Sequence, residues 1–138
     1  MRIFITGSTD GLGRAAAETL LTAGHDIVVH ARNSRRTAAL DPLTRRGATL
    51  VVGDFTDREA VLAIASELNE QRPLDSVIHN AGVWSGPAVM PTNIIAPYLL
   101  TALLNGPKRH VYLSSSSHFG GHASLKGVDW EGRRAGSY

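Results

Sequence analysis

Gly7, Gly11 and Gly13 stand in the run Thr6-Gly7-Ser8-Thr9-Asp10-Gly11-Leu12-Gly13, directly after an apolar stretch and before an alanine- and leucine-rich segment. Glycines so placed let a backbone turn tightly and approach a phosphate, whose charge is favoured by the unpaired amides opening the next helix. The chemistry they predict is the cradling of a nucleotide pyrophosphate. A second cluster is the hydroxyl run Ser114 to Ser117, with Tyr138 as the last residue. Such groups can hold a carbonyl oxygen and protonate it. His118 has no Asp or Glu near it in a triad pattern and reads as a surface histidine.

The elements that must position these groups alternate. Ile3 to Thr6, Asp26 to His30, Thr49 to Val52, Ser76 to His79 and His110 to Leu113 read as strands, and their nearly continuous apolar runs predict a parallel sheet covered on both faces. Helices are expected over Gly13 to Ala23, stopped by Gly24, and over Arg35 to Arg46, interrupted by Pro42. A third is expected over Asp57 to Glu70, capped by Asp54 or Thr56, and a fourth over Thr92 to Leu104, kinked at Pro97. From Phe119 onward the pattern reads as loop. This β-α-β order predicts an α/β fold, a Rossmann-like doubly wound parallel sheet in three αβα layers, with residues 1–138 as one domain.

The spacing G-x-x-x-G-x-G resembles the main branch of the short-chain dehydrogenase/reductase superfamily rather than its extended branch. His79-Asn80-Ala81-Gly82 resembles the family's Asn-Ala-Gly after strand four, where the Asn steadies the sheet and the Gly lets the backbone pass the adenosine ribose. Asp54, followed by Phe55, matches an Asp that bonds the adenine amine in similar proteins. A carboxylate ending strand two would accept from a ribose 2′-hydroxyl, whereas an arginine suits a 2′-phosphate. Arg32 stands there, so NADP(H) is expected in preference to NAD(H), with Arg14 and Arg35 as helpers. The resemblance also implies a proton-relay role for Asn93, substrate orientation by Ser115 (Ser114 is the alternative) and acid/base work by Tyr138. Asn93 follows Asn80 by thirteen positions, fewer than the family normally has, so part of the wall over the cofactor is expected to be missing.

The twenty-three positions from Ser115 to Tyr138 suit the retinol-dehydrogenase-like and bacterial reductases of the superfamily. The family's Tyr-x-x-x-Lys would place its Lys beyond the last residue. A lone tyrosine, with a pKa of about 10, is a slow base. The chain is therefore expected to be the N-terminal part of the fold, incomplete at its C-terminus and a poor catalyst as it stands, with an exposed apolar fifth strand. Three readings follow: part of a reductase acting on a small carbonyl or alcohol, a non-catalytic nicotinamide-nucleotide-binding module, or a fragment too incomplete to fold. Homo-oligomers are expected only if further C-terminal helices exist.

Composition narrows the classes. With 43% hydrophobic and 19% charged residues the chain is globular, not disordered. The absence of cysteine excludes a disulfide framework, a thiolate zinc site and a cysteine nucleophile, and no metal site is expected. The doublets Arg35-Arg36, Arg45-Arg46 and Arg133-Arg134 lack interleaved aromatics, so no nucleic-acid partner is expected. No apolar run is long enough to span a bilayer, and a soluble, cytoplasmic protein is expected.

Overall fold

The structure, a computed structural model, describes residues 1–121, 124, 126 and 127; Tyr138, the expected acid/base, lies outside them. Five parallel strands form one sheet in the order β3-β2-β1-β4-β5: β1 (Arg2–Ile5), β2 (Asp26–Ala31), β3 (Thr49–Val52), β4 (Ser76–His79) and β5 (Arg109–Tyr112). Every residue of β1 is buried, because its alternate side chains meet two different cores. Phe4, Val28, Val51 and Val77 face α3 (Arg58–Glu70) and α4 (Ala96–Leu103). Ile3, Ile5, Ile27 and Val29 face the layer of α1 (Gly11–Thr22) and α2 (Asp41–Thr44). The register Phe4↔Val28 and Phe4↔Val77 stacks the first set across the sheet. Each fully buried side chain of this size contributes about 1.5–3 kcal/mol.

The helices follow the expected order with informative differences. α1 begins at Gly11 and ends with Gly24 at φ +80°; the amides of Gly24 and His25 return to the carbonyls of Leu21 and Leu20. That is the paired C-terminal closure a left-handed glycine permits. The stretch expected as one helix over Arg35 to Arg46 is a 3-10 helix (Ser34–Leu40) followed by α2, whose first turn takes Pro42, where no amide is needed. The cap of α3 is neither Asp54 nor Thr56 but Asp57, whose carboxylate accepts from the Glu59 amide at 2.9 Å. Asp54 instead closes its own turn, accepting from the Thr56 amide and hydroxyl.

The helix expected to kink at Pro97 is two pieces. A π turn (Pro91–Ile95) precedes α4, with the Ala96 amide reaching back to the Pro91 carbonyl. Pro97 occupies the first turn of α4. A proline there cannot donate, and a wider turn at that point absorbs the break.

β5 forms the sheet edge, as expected, with Val111, Tyr112 and Leu113 about half exposed (41%, 54% and 43%). A 3-10 turn (Ser116–Gly120) follows. Among the described residues no helix is long and apolar enough to cross a membrane.

The reassigned cap is testable. Asp57→Ala should lower stability by about 1 kcal/mol and Thr56→Ala by markedly less. Urea denaturation monitored by circular dichroism measures both, and equal losses would return the cap to the preceding turn.

Candidate functional site

β1 lies between β2 and β4, so the chain leaves the sheet in opposite directions on either side of it. In open α/β sheets the crevice at such a reversal, outside the carboxyl ends of the strands, receives ligands. A cavity of about 510 Å³ occupies that place. Gly7, Thr9, Gly11 and Leu12 form its floor, Arg32, Asp54 and Phe55 one side, and Asn80, Ala81 and Gly82 the other. The sequence-predicted cofactor residues thus converge, apart from three that stand behind the surface.

Those three hold the loop. Thr6 accepts from the amides of Asn80 and Ala81 at 2.9 Å each. Ser8, fully buried, donates to the Ile5 carbonyl and accepts from the His30 amide. Gly13 packs where a β-carbon would collide with the Asn80 amide and the Gly7 carbonyl. Asn80 itself donates to the carbonyls of Thr6 and Gly7, both at 2.9 Å. Gly7 adopts φ +64°, and a β-carbon there would lie 2.9 Å from the Ala81 Cα.

The cavity suits a phosphorylated nucleotide. Unlike α3, α1 has no side-chain cap, so the amides of its first turn are left for an anion. Arg32 pairs with Asp54 at 3.9 Å, and Arg36 bonds Asp10 on the glycine loop. Arg36 lines the cavity, whereas the two expected helpers do not: Arg14 is turned to Glu18 and the Ala39 carbonyl. Arg35 and Arg36 both stand on the 3-10 stretch after β2, and of the two Arg36 lines the cavity.

Sequence reasoning also missed His30. Its ring is buried and stacked on Phe55 at 4.2 Å; Nδ1 accepts from the Gly7 amide at 3.0 Å, and Nε2 lies 2.8 Å from the Gly53 carbonyl. Burial pushes its pKa below the usual histidine value. The only sequence signal was a histidine inside an otherwise apolar strand.

A second cavity, about 740 Å³, adjoins the first and shares Asn80, Ala81, Gly82 and Leu113 with it. Asn93 lines it; its side-chain amide makes two bonds to the Val83 backbone, both 2.9 Å, closing the short connection after β4. Ser114 and Ser117 also line it, while the Ser115 hydroxyl lies half-buried beside Ser117 Oγ at 3.1 Å. His79 and Tyr112 complete the wall. Tyr112 donates to Thr101, which donates to the Pro97 carbonyl, and His79 Nε2 meets His110 Nδ1 at 3.1 Å. Burial, with the nearby His110 charge second, pushes His79 down to about 4.

Residues 1–100 match the family described as short chain dehydrogenase. The chain belongs to that family. A solved short-chain dehydrogenase of Shigella flexneri, complexed with NADP, superposes with a TM-score of 0.74 at 25% identity, over 88% of this chain and 61% of that one. An uncharacterised oxidoreductase of Emericella nidulans is 43% identical over 93% of this short-chain dehydrogenase sequence and 55% of its own. A short-chain dehydrogenase of Gibberella zeae is 36% identical over 94% and 53%. The chain therefore spans about half the length of the curated relatives it matches.

Burial lowers the pKa of two histidines, His30 and His79, and so ties stability to pH. A histidine whose folded pKa lies below its unfolded value leaves the unfolded state binding more protons, so stability falls as pH drops below 6.5. Urea midpoints should be level above about pH 7 and decline toward pH 5. His79→Gln should remove part of that decline. Stability rising over the same descent would contradict neutral imidazoles in the fold.

Proposed function

We propose that residues 1–138 form one coenzyme-binding domain of an NADP(H)-dependent short-chain reductase, acting between a small-molecule carbonyl and its alcohol. The observation that carries this is Arg32, at the C-terminal end of β2 on the rim of the first cavity, with Arg36 as a second guanidinium on the same cavity. Planar guanidinium groups suit a 2′-phosphate, and a carboxylate is absent from the position at which it would receive a free 2′-hydroxyl.

In this reading the first-turn amides of α1 and the loop of Gly7, Gly11 and Gly13 receive the pyrophosphate. Asp54 accepts from the adenine amine and Phe55 backs the adenine side. Asn80, Ala81 and Gly82 carry the ribose toward the second cavity. The nicotinamide supplies or takes the hydride. Ser115 orients the substrate oxygen, with Ser114 on the cavity wall as the alternative, Tyr138 exchanges the proton with it, and Asn93 serves the relay to solvent.

Coenzyme binding without turnover is a second reading. It is favoured by the first cavity, whose described lining runs from Gly7 to Leu113 and does not include Ser115. Tyr138→Phe separates the two: reductase activity on a panel of aldehydes and ketones should vanish while coenzyme affinity stays unchanged. Turnover that survives the substitution would remove Tyr138 from the chemistry.

Coenzyme choice is tested by calorimetry with NADP⁺ and NAD⁺. Arg32→Ala should weaken NADP⁺ by about 2 kcal/mol, roughly thirtyfold, and leave NAD⁺ nearly unchanged. An equal effect on both, or tighter binding of NAD⁺ by the unaltered chain, would overturn the 2′-phosphate assignment.

A further inference from the structure

His30 sits on the cavity wall with both ring nitrogens engaged. A backbone amide can only donate, so Nδ1, which receives the Gly7 amide at 3.0 Å, must be unprotonated. A carbonyl can only accept, so Nε2, 2.8 Å from the Gly53 oxygen, must carry the proton. One neutral tautomer satisfies both partners, and imidazolium satisfies only one. The main chain fixes the ring further: the His30 amide donates to Ser8 Oγ and the Ser8 amide to the His30 carbonyl, both at 3.1 Å. Phe55 covers one ring face and Phe4 approaches it edge-on.

Of the two partners, Gly7 lines the first cavity and Gly53 stands next to residues that line it. Gly7 holds the left-handed turn of the glycine loop, and Gly53 directly precedes Asp54 and Phe55. We propose that His30 is a positioning residue that ties the pyrophosphate loop to the adenine side of the cavity, and that a proton on its Nδ1 and a coenzyme in the cavity exclude each other. Protonation would set two donors face to face across the Gly7 contact. Either the Gly7 amide releases or the ring leaves Phe55, and both deform the surface that receives the coenzyme. The inference rests on the coenzyme reading of this cavity.

The charges around the ring leave that geometry in control. Asp54, on the segment after β3, favours a positive ring but faces Arg32 of the stretch after β2 at 3.9 Å. On the glycine loop Asp10 is bonded to Arg36 of the 3-10 helix, and β1 presents only the uncharged Phe4. Burial outweighs the Gly53 carbonyl and Asp54, which both favour a positive ring, and keeps the ring neutral.

The test has a ligand-free arm and a coenzyme arm. In ¹⁵N NMR of the unaltered chain, His30 should show the Nε2–H tautomer, and the Gly7 amide shift should follow the same titration midpoint. A Gly7 amide indifferent to that titration overturns the proposal, whatever binds. In the second arm, NADP⁺, which is stable in acid, is titrated at pH 7.5 and pH 5. Its 2′-phosphate protonates in the same range, so the quantity read is the difference between wild type and His30→Gln. Wild type should lose about fivefold more affinity on acidification than the variant. Should His30→Gln fail to fold, saturating NADP⁺ must lower the His30 midpoint in the unaltered chain, because the exclusion is reciprocal. Equal losses in both proteins, or an unmoved midpoint, would sink the idea. If neither NADP⁺ nor NAD⁺ binds at pH 7.5, the coenzyme reading falls and the exclusion with it, while the Gly7 titration still decides the His30 tie.

Discussion

Where β1 and β4 part, the sheet must open without leaving backbone groups stranded. The ladder ends with Ile5 opposite Ile78, and the Thr6 amide makes one last bond to the Ile78 carbonyl. Beyond that point two side chains take over the pairing. The Thr6 hydroxyl receives the amides of Asn80 and Ala81, and the Asn80 amide covers the carbonyls of Thr6 and Gly7. Unpaired, each such buried group would cost about 1–3 kcal/mol. The crevice is therefore held open by hydrogen bonds rather than by bulk. The glycine pattern follows from it as much as from any ligand, since Gly13 is small because Asn80 lies against it.

The same economy of partners explains how the cavity can be charged and yet ready. Its two ion pairs, Arg32–Asp54 and Arg36–Asp10, sit at an exposed rim. Pairs of this kind are worth about 0–1 kcal/mol, so an incoming anion displaces the carboxylates at small cost. The guanidinium groups are meanwhile kept near the rim. His30 is different, being buried and tied at both nitrogens, so that the rigid part of the site is the neutral imidazole and the adaptable part is the rim.

Much of this was legible in the residues. Strands buried on both faces announce themselves as unbroken apolar runs, and all five fall within one residue of their predicted limits. The glycine loop was legible because only a few residue types tolerate its backbone. Local chemistry was harder to read where two residues could do one job, as with Asp54, Thr56 and Asp57 before α3. The 3-10 geometry of Ser34–Leu40 left no periodic trace, and on that stretch it is Arg36 rather than Arg35 that lines the cavity. His30 and His79 escaped because a buried histidine in a strand looks, in sequence, like any other interruption of an apolar run.

The second cavity shows what a shortened connection demands. The chain after Gly82 forms no long helix before the π turn and is tied down by a side chain. The Asn93 side chain supplies the missing contact by pairing with the Val83 backbone as a strand would. That pairing sets the π turn beside the shared wall of Asn80, Ala81 and Gly82, so one short stretch of backbone borders both cavities. The wide turn is itself a consequence of Pro97, which cannot continue the ladder of α4 toward Asn93. A proline in the helix and an asparagine one turn earlier thus fix one wall of the second cavity, and the hydroxyls after β5 face it from the other side.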